Sequence, residues 1–281
     1  MAQNLRKRLQ QSEKDLFAPI TFRLSHSLEQ VEPAETAEDA ALAAFVLGSA
    51  QRTLRVDAVA SWFDTSLEAA AAQGVVEQEA TYQASLPKRI DVDAALRAPT
   101  MKTALATARH LSAQGGAQGV VLGYQTAPAT LARRLNAEDP ECFLSEALSI
   151  TLAVARSHCE AGVSALLLVD EQEGDRPEDI WERSSALLNV AQYYETPVVY
   201  LCRHGVSRET AEHLRNSALL IADSPFTPSV VTFPVAGDIA SAADHVAASC
   251  SSTPRLVLSA WDLDPETAAE DVVQLGNAIA R

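Results

Sequence analysis

With 281 residues and 30.0 kDa the chain is long enough to bury a single large core. It carries 22 Lys and Arg against 37 Asp and Glu, and a net charge of -15 argues against nucleic acid, whose phosphates need clustered cations. No apolar run approaches the ~18 residues that cross a bilayer, and Met1 to Gln11 lacks the apolar middle of a signal peptide. The four cysteines show no CxxC spacing, so reduced thiols in the cytoplasm are expected.

In chain order, residues 1–18 read as a helical N-terminal extension whose one basic cluster, Arg6-Lys7-Arg8, is a solvated helix end. Short runs rich in Val, Leu and Ile follow at Pro19–Arg23, Arg55–Val59, Gly119–Gly123, Ala165–Val169, Val198–Leu201, Ala218–Ala222, Val230–Phe233 and Arg255–Ser259. Ala-rich stretches of helical period lie between them, such as Glu38–Gln51 and Ser145–Ala161, the latter stopped by Gly162. Eight strands alternating with helices predict an α/β fold, a single (β/α)8 barrel of the TIM type over residues 1–281. An irregularity is expected around strands six and seven, because the loop holding Pro225 and Pro228 is too short for a crossover helix.

In such a barrel chemistry sits where strands end and helices begin. The segment WFDTSLEAAAAQGVV, Trp62 to Val76, places Asp64 there, either as a catalytic carboxylate or as the cap of the following helix. Asp170 ends the fourth strand, either as a second carboxylate or as the start of a solvated acidic loop, LVDEQEGDRPED. If the two share a cavity with Glu171, repulsion would raise one carboxyl pKa and create a general acid. His26 lies just past the first strand, as a proton carrier or a hydrogen-bonded bystander, whereas His110, His158, His213 and His245 fall within helices. Tyr124, Gln125 and Arg23 would line the mouth, with Trp62 and Trp261 either stacking on a flat ligand or plugging the core. Cys202 and His204, two apart on one strand, would share a face and, with Asp223, form a three-ligand zinc set open to a thiol. The bland alternative is a buried cysteine and a loop histidine.

Four segments in order, WFDTSLEAAAAQGVV, GYQTAPATLARRL, CEAGVSALLLVDEQ and DLDPETAAEDV, resemble the strand exits of the uroporphyrinogen decarboxylase and cobalamin-independent methionine synthase superfamily. The resemblance runs over residues 19 to 280 and implies a barrel enzyme that transfers a methyl group between a thiol and a corrinoid or methylated small molecule. It departs from the decarboxylase pattern, with Arg23 alone where an arginine-rich segment stands and Trp261 near the place of a histidine. It departs from the zinc branch too, where Tyr200-Leu201-Cys202 replaces a His-x-Cys pair and Ser259, Trp261 and Asp262 replace the last cysteine. Zinc, a corrinoid donor, and a corrinoid protein or second copy of the chain as partner are what the resemblance implies. Two other readings stay open: a barrel that lost catalysis and kept a small-molecule pocket, and a metal-free lyase with Arg23, Arg133 and Arg134 as anion anchors.

Overall fold

The computed structural model describes residues 4–76, 90–114, 119–171, 185–213, 219–222, 230–234, 239–248 and 255–279. Eight strands follow one another: β1 Leu16–Phe17, β2 Ala58–Ala60, β3 Val120–Thr126, β4 Ala165–Asp170, β5 Val198–Cys202, β6 Leu219–Ile221, β7 Val230–Phe233 and β8 Leu256–Ser259. The helices that position the site are α1 Leu5–Gln11, α2 Phe22–Glu29, α3 Pro33–Thr36, α4 Ala40–Leu54, α5 Leu67–Val76, α6 Val92–Arg97, α7 Pro99–Gln114, α8 Pro128–Leu135 and α9 Leu144–Ala161. Further helices occupy Ser185–Tyr193, Arg208–His213, Ile239–Ala248 and Ala269–Ile279. None of the described helices is long and apolar enough to cross a membrane.

All strand pairs are parallel, in two ladders ordered β1-β8-β7 and β2-β3-β4-β5-β6. Asp57 joins them: its N–H donates to Phe17 O at 2.7 Å, its Oδ2 accepts from Phe17 N at 2.9 Å, and its carbonyl accepts from Val120 N at 3.1 Å. The strands therefore run β7-β8-β1-β2-β3-β4-β5-β6, the winding of a (β/α)8 barrel. Among the described residues no ladder joins β6 to β7, the place where the short Pro225 and Pro228 loop foretold irregularity; both prolines lie outside the described residues.

The local reasons are those of sequence. Asp39 accepts from Ala41 and Leu42 N–H and starts α4, whose buried stripe of Ala43, Ala44, Val46, Leu47 and Ala50 packs inward. Gly162, with φ of 77°, ends α9 by donating its N–H to Cys159 O, as its sequence position foretold. The first strand departs from expectation: it is Leu16–Phe17, and Phe22–Glu29 is helical. Pro19 has no N–H for a ladder, so the chain leaves β8 there and is held instead by Ile20 N donating to Ser259 Oγ at 2.8 Å. Upstream, the helical extension is only α1, whose Leu5 and Leu9 are buried and whose Leu5 N donates to Ser164 O at the entry of β4. Asp15 receives the Arg255 guanidinium at 2.6 Å and Arg255 N at 2.8 Å, tying the start of β1 to the start of β8.

Candidate active site at the strand exits

Side chains alternate along a strand, and partnered residues of neighbouring strands share a face. A Cβ added to Gly123 would meet His158 of α9 at 2.9 Å, so Gly123 faces the helices. Tyr124 and Thr126 therefore face the other way, into the ring. The rings agree: Phe63, after β2, lies 5.3 Å from Tyr124 and 5.0 Å edge-on from Trp261, after β8, so three exits meet at one end of the barrel.

That parity sorts the residues singled out in the sequence. Gln125 shares the helix side with Gly123, and through the register Leu168↔Gln125, Leu168↔Tyr200 and Asp170↔Cys202 so do Asp170, Tyr200 and Cys202. Asp170 does not converge with Asp64. Its carboxylate turns to α8, accepting from Thr130 Oγ1, from Arg133 Nη2 at 3.2 Å and from Tyr200 Oη at 3.0 Å. Asp170 itself is only 2 % exposed, and the acidic loop it was expected to open lies from residue 172 outside the described residues. Gln125 is fully buried, and neither atom of its amide has a partner. His158 donates from Nε2 to Tyr124 O at 2.7 Å, and its burial pushes the imidazole down to about 4, so it is neutral at physiological pH.

Inside the ring a different group forms, and it was not singled out in the sequence. Glu68, in the first turn of α5, is 1 % exposed and accepts from Thr126 N at 2.8 Å and Thr126 Oγ1 at 2.6 Å. Thr126 Oγ1 in turn lies 3.1 Å from Tyr124 Oη, giving a buried line of three polar groups. Burial raises the Glu68 carboxyl above its ordinary range; the Thr126 donors oppose this and the field of Asp64 adds to it. Tyr124 is pushed well up by burial and then by Glu68. The one signal in the sequence is a lone charge between Leu67 and Ala69-Ala70-Ala71-Ala72.

Around this group stands the rim. Asp64 is exposed; its Oδ1 accepts from Ser66 N at 2.8 Å and Ser66 Oγ at 2.6 Å, which is the capping arrangement. Its Oδ2 has no partner among the described residues. On its outer side Asp64 borders a cavity of ≈ 430 Å³ between α5, α6 and α7, lined also by Leu67, Ala71, Gly74, Arg97 and Thr100. Glu171 accepts from Thr65 Oγ1 at 2.7 Å and Arg134 Nη2 at 2.5 Å. Partial burial would lift its carboxyl, but these donors and the fields of Arg134 and Arg203 outweigh that and hold it low. The acid raised at the site is thus Glu68, through burial, and not a member of an Asp64, Asp170 and Glu171 trio. Trp62 is buried against Phe22, 5.2 Å away, and Trp261 is half-buried with the Arg203 guanidinium 4.9 Å over its ring.

The remaining expectations meet occupied partners. His26 lies within α2, buried, with Nδ1 against Phe22 O and Nε2 against Thr36 Oγ1, both at 2.8 Å. Arg23 pairs with buried Asp262 at 3.0 Å, whose carboxyl burial still pushes up to about 6 against the Arg23 donors. With Arg133 on Asp170 and Arg134 on Glu171, all three supposed anion anchors are neutralised.

The strand expected to align Cys202 with His204 stops at Cys202, because Gly205, at φ of 80°, closes a turn by donating its N–H to Cys202 O at 3.0 Å. Cys202 is buried and His204 exposed, and Asp223 lies outside the described residues. Among the described residues no three metal-ligating side chains converge, and the third member of the expected set, Asp223, is not among them.

No protein-family model and no curated protein matches the chain. Among solved structures it is similar to a methyltransferase from Methanosarcina mazei, at a TM-score of 0.65 and 14 % identity over 95 % of this chain and 94 % of that one. It also aligns with the apo homocysteine methyltransferase MmuM from Escherichia coli, at 11 % identity over 98 % and 100 % of the two chains, but the TM-score of 0.49 bears no weight. The first likeness, at this identity, establishes a shared α/β barrel fold.

Proposed function

We propose that the chain is a methyltransferase-like enzyme that moves a methyl group to a thiol on a small molecule held at the β2, β3 and β8 exits. The observation that carries this reading is Glu68, a buried carboxyl inside the ring that has no cation beside it among the described residues and is linked through Thr126 to Tyr124. A barrel of the same fold that is a methyltransferase in Methanosarcina mazei supports the choice of reaction class. Burial raises the Glu68 carboxyl above its ordinary range, which favours proton exchange at the site, and the exposed Asp64 carboxylate beside it can act as a base. In the reaction the thiol proton passes to Asp64, the sulfur lone pair forms the new S–CH3 bond, and the old bond from the methyl group breaks with its electron pair going to the leaving group. The leaving group departs as a neutral sulfide or a reduced corrinoid, and Asp64 returns the proton to solvent. The donor is a methylated small molecule or a methyl corrinoid. Trp62 and Trp261 wall the mouth and Tyr124 presents its hydroxyl to the relay. His26 and Asp170, with both ring nitrogens or all nearby donors engaged, hold the surrounding framework.

The test is formation of a deuterated thioether when the protein meets mercaptoacetate and a CD3-labelled donor, methylcobalamin or trimethylsulfonium, followed by mass spectrometry. Turnover that collapses in Asp64→Asn supports the reading. Failure of both donors, or equal rates in Asp64→Asn, overturns it. The lyase reading loses its support because Arg23, Arg133 and Arg134 each face a carboxylate.

A further inference from the structure

We propose that the cavity between α5, α6 and α7, outside the ring, is a second ligand site, and that it takes a small zwitterion, an ammonium and a carboxylate on an aliphatic body. The inference goes beyond methyl transfer and does not depend on it, since such a ligand needs neither a thiol nor a methyl group to give away. The cavity's ≈ 430 Å³ lies within the roughly 300–1,000 Å³ of small-molecule sites. Most of its wall is apolar, with Leu67, Ala71 and Pro99 among the lining residues, and its polar lining is Asp64, Arg97 and Thr100. Two opposite charges thus share one cavity without pairing: among the described residues Arg97 has no ion pair, and Oδ2 of Asp64 has no partner. A solute that carries both charges can satisfy both groups, whereas one that carries a single charge leaves the other group uncompensated.

The second observation is Gly74. It stands within α5, after Ala69-Ala70-Ala71-Ala72-Gln73, where glycine weakens a helix relative to alanine. The backbone does not require it, because its φ is not positive, and neither do its neighbours: a Cβ there would meet no atom within 4 Å. What the missing side chain leaves open is the cavity that Gly74 lines. The two charged groups are set for an occupant. Asp64 Oδ1 accepts from Ser66 N at 2.8 Å and Ser66 Oγ at 2.6 Å, which holds the carboxylate in place with Oδ2 unspent. Arg97 stands in the last turn of α6, where the helix dipole favours a cation. An ammonium donating to Asp64 and a carboxylate gripped by the Arg97 fork complete both, with the aliphatic body against Leu67 and Ala71.

Calorimetric titration of the full chain with L-leucine and with ε-aminocaproate, which carry the two charges close together and far apart, tests the site with no methyl donor present. One of the two is expected to bind at least tenfold more tightly than hexylamine and caproate, each of which has a single charge. Arg97→Gln should remove the advantage over hexylamine. Gly74→Leu, which puts a side chain into the open space, should abolish binding while the melting temperature holds. Should Gly74→Leu fail to fold, Arg97→Gln, a change at an exposed residue, decides alone. No saturable binding of either zwitterion to the wild type, or an affinity unchanged in Arg97→Gln, overturns the site.

Discussion

Two buried carboxylates at neighbouring strand exits have opposite surroundings. Asp170, on the helix side of β4, is met by Thr130, Arg133 and Tyr200. Glu68, on the ring side of β3, is met by Thr126 and by no cation among the described residues. A carboxylate supplied with a guanidinium and two hydroxyls keeps its charge and acts as a structural clamp, here fastening α8 to β4 and β5. One supplied with no cation among the described residues has its carboxyl raised by burial, and that is a property chemistry can use. Position along the chain does not distinguish them; the face of the sheet does.

The comparison is broken most forcefully at the clamp. Asp170→Ala removes the buried carboxylate that accepts from Thr130, Tyr200 and the half-buried Arg133, and urea denaturation should show a loss of about 3 kcal/mol. The same helix side can be sharpened through His158. Its folded pKa of about 4 lies below the ordinary 6.5, so the stability it contributes is complete above pH 6.5 and is lost as pH falls from 6.5 toward 4. Across that window the wild type should lose about 3 kcal/mol more than His158→Gln, read from paired denaturation curves. On the ring side the effect should fall on rate instead. Glu68→Gln keeps the shape of the side chain and should leave the melting temperature nearly unchanged while turnover drops roughly 10-fold, because the Thr126 and Tyr124 hydroxyls at the mouth lose the carboxyl that orients them. Least of all, His204→Ala should alter neither zinc content by elemental analysis nor melting temperature, since the side chain is exposed and lies beyond the end of β5.

The strands were legible because apolar runs bounded by turn residues leave little choice of conformation: β7 and β8 fall within one residue of their sequence boundaries. The first strand was not, because only Leu16–Phe17 pairs with β8 and so short a ladder leaves no periodicity to read. The capping role of Asp64 was open to view in FDTSLEA, and the structure shows Ser66 taking it. The faces of Asp170, Gln125 and Cys202 were hidden for a physical reason. Their strands are apolar on both sides, so no alternation marks which residues face the helices, and only the register with β3 decides it. Glu68 was hidden because an acid in the first turn of a helix is the ordinary preference of the helix dipole. Its burial depends on Thr126, 58 residues away.

Difference infrared spectroscopy of the wild type against Glu68→Gln at pH 7 reads the protonation state of this group without any substrate. A carbonyl band of a protonated carboxylic acid that disappears in the variant is the expected result. A spectrum in which only carboxylate bands change would mean that Glu68 is ionised, and the ring-side acid on which the site is built would not exist.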